Sequence, residues 1–418
     1  MHHVPLVVAT LMLLFFVHFW VMRAWELIQT CKRDPHINPE NNVVLPNHPP
    51  LISVIVPAHN EEAGISDCLK SVLDQDYPRF ELICIDDRSE DRTVEIAEAV
   101  CNGRAKAGVF SVHELPEGWT GKCHALDVGV KRASGEWFAF LDADSTLHKS
   151  ALTHCYHAAV DRGVNMLTLS PRFVLKTFWE RALQPTFAAM SCILFPLSKI
   201  NDPSSDVASA NGMFYIISRH AYERIGGHRD VKDLAVEDIG IGKRVKASGL
   251  GLVFANGRKI LRTRMYTNFK EITDGWTRIL SASMNYEMAT VLWYLLVHIL
   301  MSAPVFASAL YVYISAAKGL WPQWWFVLPL VCGACMFGIP CFYYEQLGVP
   351  KKYSVLLAVG NLMLIWVFAV IVKKILCNDA LQWRGTTYDT SRYKPKRLDP
   401  LPSRACGAPV RSALEEVN

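Results

Sequence analysis

Charge of one sign is hardly in excess in this sequence: 43 Lys and Arg stand against 39 Asp and Glu in 418 residues, a formal +4. A protein that grips nucleic acid by bulk charge needs a basic surplus, so nucleic acid is disfavoured as the main partner. A disulfide framework is also missing, because the 12 cysteines are scattered without pattern. The lone C-x-x-C, Cys332-Gly-Ala-Cys335, lies in an apolar run without a second pair or a nearby His, which fits close helix packing better than redox or zinc chemistry. No Gly-x-x-x-x-Gly-Lys-Ser/Thr occurs, which excludes a P-loop kinase or ATPase. No Gly-x-Gly-x-x-Gly opens the first strand–helix unit either, which argues against a dinucleotide oxidoreductase. Internal repeats and low-complexity tracts are absent.

Apolar residues are abundant, at 51%, and unevenly placed. Val4–Met22 runs for 19 residues without Asp, Glu, Lys or Arg, long enough to span a bilayer. Its leading segment has no Lys or Arg and no small-residue cleavage site precedes Arg23, so an uncleaved anchor is expected rather than a signal peptide. Three further blocks, Met288–Ala317, Trp321–Tyr344 and Tyr353–Leu376, each exceed the ~20 residues a crossing helix needs. Trp321, Trp324 and Trp325 open the middle block and Tyr343 and Tyr344 close it, as interface-seeking rings do. Phe173–Ile200 is apolar but broken by Pro185 and Pro196; interfacial helices and plain core are both open readings there.

Between these regions the chain alternates strands with helices. Leu51–Pro57 is a continuous apolar run, the pattern of a strand covered on both faces. A helix is expected next, with Asn60 as cap, Glu61 and Glu62 in its first turn, and Ile65, Cys68, Leu69, Val72 and Leu73 at helical spacing. Strands at Glu81–Asp86, Gly108–His113 and Glu136–Asp142 alternate with helices near Asp91–Cys101 and Lys122–Ala133. Such alternation implies right-handed crossovers and a parallel sheet, whose ligands bind beyond the carboxyl ends of the strands.

Acidic residues stand where those strands end, at Ile85-Asp86-Asp87 and Leu141-Asp142-Ala143-Asp144. One such pair could simply start a turn; two on neighbouring strand ends point to function. A carboxylate in Asp-x-Asp can reach a divalent ion that in turn holds diphosphate oxygens, and Mg²⁺ and Mn²⁺ prefer such ligands. A third acidic site, Val236-Glu-Asp238, leads a helix, where Asp238 could cap or act as a base.

Four motifs in this order, Val56-Pro-Ala-His-Asn-Glu-Glu62, Ile85-Asp-Asp-Arg-Ser89 with Asp91, Leu141-Asp-Ala-Asp-Ser145 and Val236-Glu-Asp238, resemble the family 2 inverting glycosyltransferases of GT-A fold over residues 51–270. Leu115-Pro-Glu-Gly-Trp-Thr-Gly-Lys-Cys-His-Ala125, Phe178-Trp-Glu-Arg181 and Gln382-Trp-Arg-Gly-Thr-Thr-Tyr388 resemble its membrane-bound branch of hopene-associated, carotenoid and ceramide-type enzymes. The resemblance implies an α/β, Rossmann-like nucleotide-diphospho-sugar transferase domain joined to transmembrane helices. It implies that Pro57, Ala58, Glu61, Asp86 and Asp87 cradle the nucleotide, with the base-contacting Asp of the pair undecided, and that Lys122 contacts donor diphosphate. Asp142 matches the first acid of Asp-x-Asp and Asp144 the metal ligand, for Mg²⁺ or Mn²⁺; Asn211 and Gly212 fall at the sugar pocket, and Asp238 matches the base. The family's Gln-x-x-Arg-Trp or Arg-x-x-Arg-Trp signature is replaced by Asp274-Gly-Trp-Thr-Arg278, which argues against a polymerising synthase; Trp276 and Arg278 remain candidates for acceptor and diphosphate contacts.

The expected function is transfer of one sugar from a nucleotide diphospho-sugar, UDP-linked, to a lipid hydroxyl. A polyprenyl phosphate acceptor, and a membrane scaffold that keeps the domain without catalysis, are the alternatives. The expected organisation is an anchor and linker over 1–49, the catalytic domain over 50–270, an interfacial segment and transmembrane helices over 271–377, and a polar tail over 378–418. Arg23, Lys32 and Arg33 follow the first run, which places the catalytic domain in the cytosol of a cell-membrane protein. Lys351 and Lys352 agree, whereas Lys373, Lys374, Arg384, Lys394, Lys396 and Arg397 would be exported by a third full crossing. Either Met288–Ala317 bends at Pro304 into a shallow hairpin or a later block is re-entrant, which leaves residue 390 cytosolic with Trp383–Tyr388 near the catalytic domain.

Overall fold

The computed structural model describes residues 3–33, 35–318, 339–379, 381–383 and 386–388. The Trp321, Trp324 and Trp325 cluster, the Cys332–Cys335 pair, Arg384, and the tail from residue 389 with Lys394, Lys396 and Arg397 lie outside the described residues. A first helix, α1 (His3–Arg33), is followed by β1 (Ile52–Ala58), α2 (Ile65–Leu73), β2 (Phe80–Asp87), α3 (Thr93–Cys101), β3 (Ala107–Val112), α4 (Gly121–Arg132), β4 (Trp137–Leu141) and β5 (Ser145–Leu147). Then come α5 (Ala151–Asp161), β6 (Met166–Ser170), β7 (Arg172–Phe173), α6 (Phe178–Leu194), α7 (Leu197–Ile200), β8 (Phe214–Ser218), α8 (Arg219–Arg224), α9 (Glu237–Ala247), β9 (Leu252–Asn256) and β10 (Leu261–Thr263). The chain continues through α10 (Phe269–Ser283), α11 (Met288–Ala317), α12 (Ile339–Gln346) and α13 (Leu357–Cys377) to a short hairpin of β11 (Leu381–Trp383) and β12 (Thr386–Tyr388).

Two compact units divide the chain. One holds residues up to Val174 that follow α1, together with Phe195–Met265; the other holds α1, Leu175–Leu194 and the described residues from Tyr266 to Tyr388. The first unit is built on a seven-stranded sheet of order β3-β2-β1-β4-β8-β6-β9. β1 pairs in parallel with β2 and β4, and β2 with β3. Every residue of β1 is buried, as its continuous apolar run demands. Apolar clusters cover both faces of the sheet: Val54, Val56, Leu82 and Leu141 lie in one, Ile55, Ile83, Phe138 and Ile217 in the other.

β8 departs from the expected parallel pattern, since it runs antiparallel to both neighbours, β4 and β6. Its reversal has a consequence for the site: the residues entering β8, Asn211-Gly212-Met213, arrive at the sheet edge where β4 leaves. The amide of Asp142 donates to the Met213 carbonyl at 3.1 Å across that edge. A second sheet of three short strands, β5-β10-β7, follows Asp144 directly.

The expected cap at Asn60 is not formed, because α2 opens only at Ile65. Asn60 adopts a left-handed backbone, φ 54°, a conformation Asn tolerates better than most residues. Its amide donates to Ser89 Oγ at 2.9 Å, and its Oδ1 accepts from Glu90 N at 2.8 Å. The Glu61 amide donates to Thr93 Oγ1 at 2.7 Å, so the loops after β1 and β2 are laced together.

In the second unit, α6 is one helix with Pro185 inside it, rather than pieces broken at that proline, and it ends before Pro196. Met288–Ala317 is likewise one helix of 30 residues, which removes the shallow hairpin at Pro304 and leaves the other alternative, a later re-entrant block; an apolar segment satisfies its backbone groups internally by staying helical. A polar group joins α11 to α13: His298 Nδ1 lies 2.7 Å from Asn361 Oδ1, and Asn361 Nδ2 donates to Ser302 Oγ. Among the described residues one helical segment, Lys351–Cys377, is long and apolar enough to cross a membrane, with a mean hydropathy of 2.7 over its best window.

Candidate active site

The strand ends gather the acidic residues as the parallel-sheet rule requires. Ala58 sits opposite Asp86 in register, and Pro57 opposite Ile85. The two acids of β2 then diverge. Asp87 is engaged by its neighbour Arg88, whose Nε and Nη2 donate to Oδ1 and Oδ2 at 2.8 and 3.2 Å. Its carboxylate also fills the space beside Gly121, where a Cβ would meet Oδ2 at 2.1 Å. Asp86 is 3% exposed; among the described residues its Oδ2 accepts a long bond, 3.4 Å, from Ser89 N, and its buried Oδ1 has no hydrogen-bond partner. A buried carboxylate oxygen left without a donor is costly, and an N–H brought to it could remove that cost.

Lys122, in the first turn of α4, connects the second and third acidic motifs. Its Nζ lies 2.8 Å from Asp142 Oδ1 and 2.7 Å from Glu237 Oε1. Burial alone would lower the Lys122 ammonium, but Asp142, Glu237 and Asp238 together hold it well above its ordinary value. Burial pushes Asp142 up; Lys122 opposes the rise and Asp144 adds like charge, leaving it at about 6. Asp238, in the first turn of α9, accepts from Ile239 N at 2.8 Å through Oδ1 and from Gly212 N through Oδ2. Burial and the adjacent Glu237 push Asp238 up to about 7, against the pull of Lys122 and the two amides. A carboxyl poised near neutrality at a strand-end cleft has the acidity a general base needs.

Asp144 follows two residues after Asp142, and its Oδ1 accepts from Ser145 Oγ at 3.0 Å and Thr263 Oγ1 at 3.2 Å. Hard carboxylate oxygens on two acids that repel each other suit Mg²⁺ or Mn²⁺, which complete their shells with water and phosphate oxygens. No group of three or more His, Cys, Asp or Glu that could hold a metal forms among the described residues. Asp144 could serve as a single protein ligand to such an ion, with the remaining ligands supplied by substrate and solvent.

Other expected residues take different parts. Asn211 braces the turn, its Nδ2 donating to Leu169 O at 2.9 Å and its Oδ1 accepting from Met213 N at 3.2 Å. Gly212 brings its backbone N–H to Asp238. Glu61 stands in the laced loop before α2. Trp276 and Arg278 belong to the second unit, on α10; the Trp276 indole N–H donates to Gln184 Oε1 at 2.8 Å and its ring packs on Phe187 at 5.5 Å. Glu237 has no role in the sequence reading, although it stands next to Asp238; the signal was an acidic pair at a helix start.

Residues 53–226 match the family model described as Glycosyl transferase family 2. Curated relatives named 4,4'-diaponeurosporenoate glycosyltransferase, from Staphylococcus aureus strains USA300 and MRSA252, are 30% and 29% identical over 241 residues, 56% of this chain. The match spans 62% of the length of those relatives. Among solved structures, a mannosyltransferase from Pyrobaculum calidifontis in complex with GDP-Man and Mn²⁺ is similar at 18% identity and a TM-score of 0.49, over 85% of this chain and 98% of that one. The strand-end acids Asp86, Asp87, Asp142 and Asp144 lie within the segment similar to that family model, residues 53–226.

Proposed function

We propose that the protein is an integral-membrane inverting glycosyltransferase that moves one hexose from a UDP-linked sugar to a hydroxyl of a membrane lipid, with its catalytic domain facing the cytoplasm. The observation that carries this reading is the meeting of Asp142, Lys122, Glu237 and Asp238 at one sheet edge, with Asp144 two residues from Asp142. Asp238 takes the proton of the acceptor hydroxyl as that oxygen bonds to the anomeric carbon from the face opposite the nucleotide. The bond from that carbon to the diphosphate oxygen breaks, and its electron pair leaves with the nucleoside diphosphate. Lys122 stands beside the acids to meet the departing charge. Asp144 would hold a divalent ion, which would supply further positive charge to the diphosphate. Asp86 Oδ1 offers an acceptor to an N–H of the base, a group uracil carries.

A lipid acceptor is supported by the name of the curated relatives and by the apolar helix at Lys351–Cys377. The test is to incubate membranes containing the protein with a panel of nucleotide sugars and read the lipid extract by mass spectrometry. A new lipid one hexose heavier, formed with a UDP-sugar, is expected. No donor-dependent lipid product and no binding of any nucleotide sugar by the purified protein would overturn the reading and restore the scaffold alternative.

A further inference from the structure

We propose that Glu237 is a positioning residue for sugar transfer: it tethers Lys122 against Asp142, which keeps that ammonium beside Asp238 without letting it pair with it. This rests on the transfer reading above and adds a role that the motif does not supply.

Glu237 is 6% exposed, and its carboxylate is engaged by a charged neighbour. That neighbour is Lys122, at 2.7 Å. A buried carboxylate is tolerated when it is paired, and a buried ammonium likewise. Lys122 stands among three carboxylates, yet its ion pairs are with Asp142 and Glu237 and not with Asp238. Lys122 Nζ and Asp238 Oδ2 nevertheless flank one point, since a Cβ on Gly212 would lie 3.0 Å from each. The two tethers therefore hold the ammonium at the rim of the base without closing onto it. If the charge of Glu237 is removed, Asp142 and Asp238 are the carboxylates left to share Lys122. An ammonium paired directly with Asp238 would occupy the lone pairs that must receive the acceptor proton.

The groups facing Asp238 are Glu237 on its own helix, Lys122 on α4 and Tyr215 on β8, with Asp142 behind Lys122. The Tyr215 hydroxyl is 3.1 Å from His228 Nε2, and its phenol is held far above its ordinary value by burial, so it keeps its proton through the working range. Replacing Glu237 by Gln thus removes a like charge from Asp238 and draws a positive one towards it. Both changes lower the pH at which Asp238 loses its proton and weaken it as a base.

The experiment uses full-length protein in membranes and compares wild type with Glu237→Gln, Glu237→Asp, Lys122→Gln and the double variant Glu237→Gln/Lys122→Gln, reading kcat and donor KM against pH. Glu237→Gln should lose about tenfold or more in kcat, with its acid limb moved to lower pH. The double variant should lose less than the product of the two single losses, because the tether acts through the lysine and has nothing to hold once Lys122 is replaced. Should Glu237→Gln fail to fold, Glu237→Asp keeps the charge on a shorter arm and should still lose turnover. An unmoved acid limb in a folded Glu237→Gln, an additive loss in the double variant, or wild-type turnover by Glu237→Asp would each overturn the inference while leaving transfer intact. No transfer by the wild type with any donor would overturn the transfer reading and this inference with it.

Discussion

The backbone N–H of Gly212 donates to Asp238 Oδ2, joining the turn before the reversed strand β8 to the first turn of α9. Space there is tight: a Cβ would stand 3.0 Å from both Asp238 Oδ2 and Lys122 Nζ, so those two side-chain ends would have to give way. Gly212→Ala should therefore leave the fold intact but displace the base and the lysine together, lowering kcat by about 10- to 100-fold. A circular dichroism spectrum like that of wild type with reduced kcat is the expected pair of results; undiminished kcat would show that the close approach does not matter.

The base itself is tested by Asp238→Asn, which keeps the shape and removes the proton acceptor. Turnover should fall by about 10²–10⁴-fold with donor binding kept. The pH profile gives an independent check. Because burial and Glu237 raise Asp238 to about 7, the ionised, active form accumulates as pH rises through that value. Wild-type kcat should climb between about pH 6 and pH 8, and the Asn variant should lose that limb. Activity that survives in the Asn variant would favour a polyprenyl phosphate acceptor, which is already ionised and needs no base.

Asp86 and Asp87 are adjacent but should respond differently. Asp86→Asn turns a carboxylate with a buried unpartnered oxygen into an amide, and should weaken UDP binding by about 10- to 100-fold if it holds a base N–H. Asp87→Asn breaks the pair with Arg88 instead, and should mainly loosen the loop after β2. Isothermal titration with UDP separates them, and equal losses in both variants would remove the assignment of the base to Asp86.

Metal dependence is the fourth prediction. Excess chelator should abolish transfer and Mg²⁺ or Mn²⁺ should restore it, while Asp144→Asn should be inactive at any metal concentration. The binding arm reads the same point without turnover: Mn²⁺ should raise the melting temperature of the UDP-bound wild type and not that of Asp144→Asn. Full activity in excess chelator would take the ion out of the mechanism.

The half of the sheet that carries β1 to β4 was legible in the sequence because parallel strands buried on both faces read as continuous apolar runs, as Ile52–Ala58 does. β8 was not: Phe214–Ser218 is equally apolar, and composition does not reveal strand direction. Without its reversal, the approach of Gly212 to Asp238 cannot be foreseen. The acidic motifs were visible, but the pairing of Lys122 with Glu237 joins residues far apart in the chain and follows only from the fold. Asn60 looked like a helix cap by position; lacing to Ser89 and Glu90 took it instead.

Sidedness is the last prediction. Arg23 pairs with Glu26 at 2.7 Å in α1, but acidic neighbours count little in the positive-inside rule, so if α1 spans, Arg23, Lys32 and Arg33 would place the chain after it in the cytosol. A reporter at residue 150 should therefore be cytosolic. The segment Lys351–Cys377 is harder to orient, since Lys351 and Lys352 open it and Lys373 and Lys374 stand in its last turns. Lys351 is tied to Glu345 at 2.8 Å. Beyond the other end follow Arg384, Lys394, Lys396 and Arg397, within the ~15–20 residues that bias orientation. That surplus favours the cytosol for the end of α13, so a cysteine placed at Asp379 should be shielded from impermeant reagents applied outside intact cells. Labelling at 379 would overturn the orientation of that helix alone, whereas labelling at 150 would put the catalytic domain on the side opposite to where nucleotide sugars are made and remove the cytosolic donor from the proposed reaction.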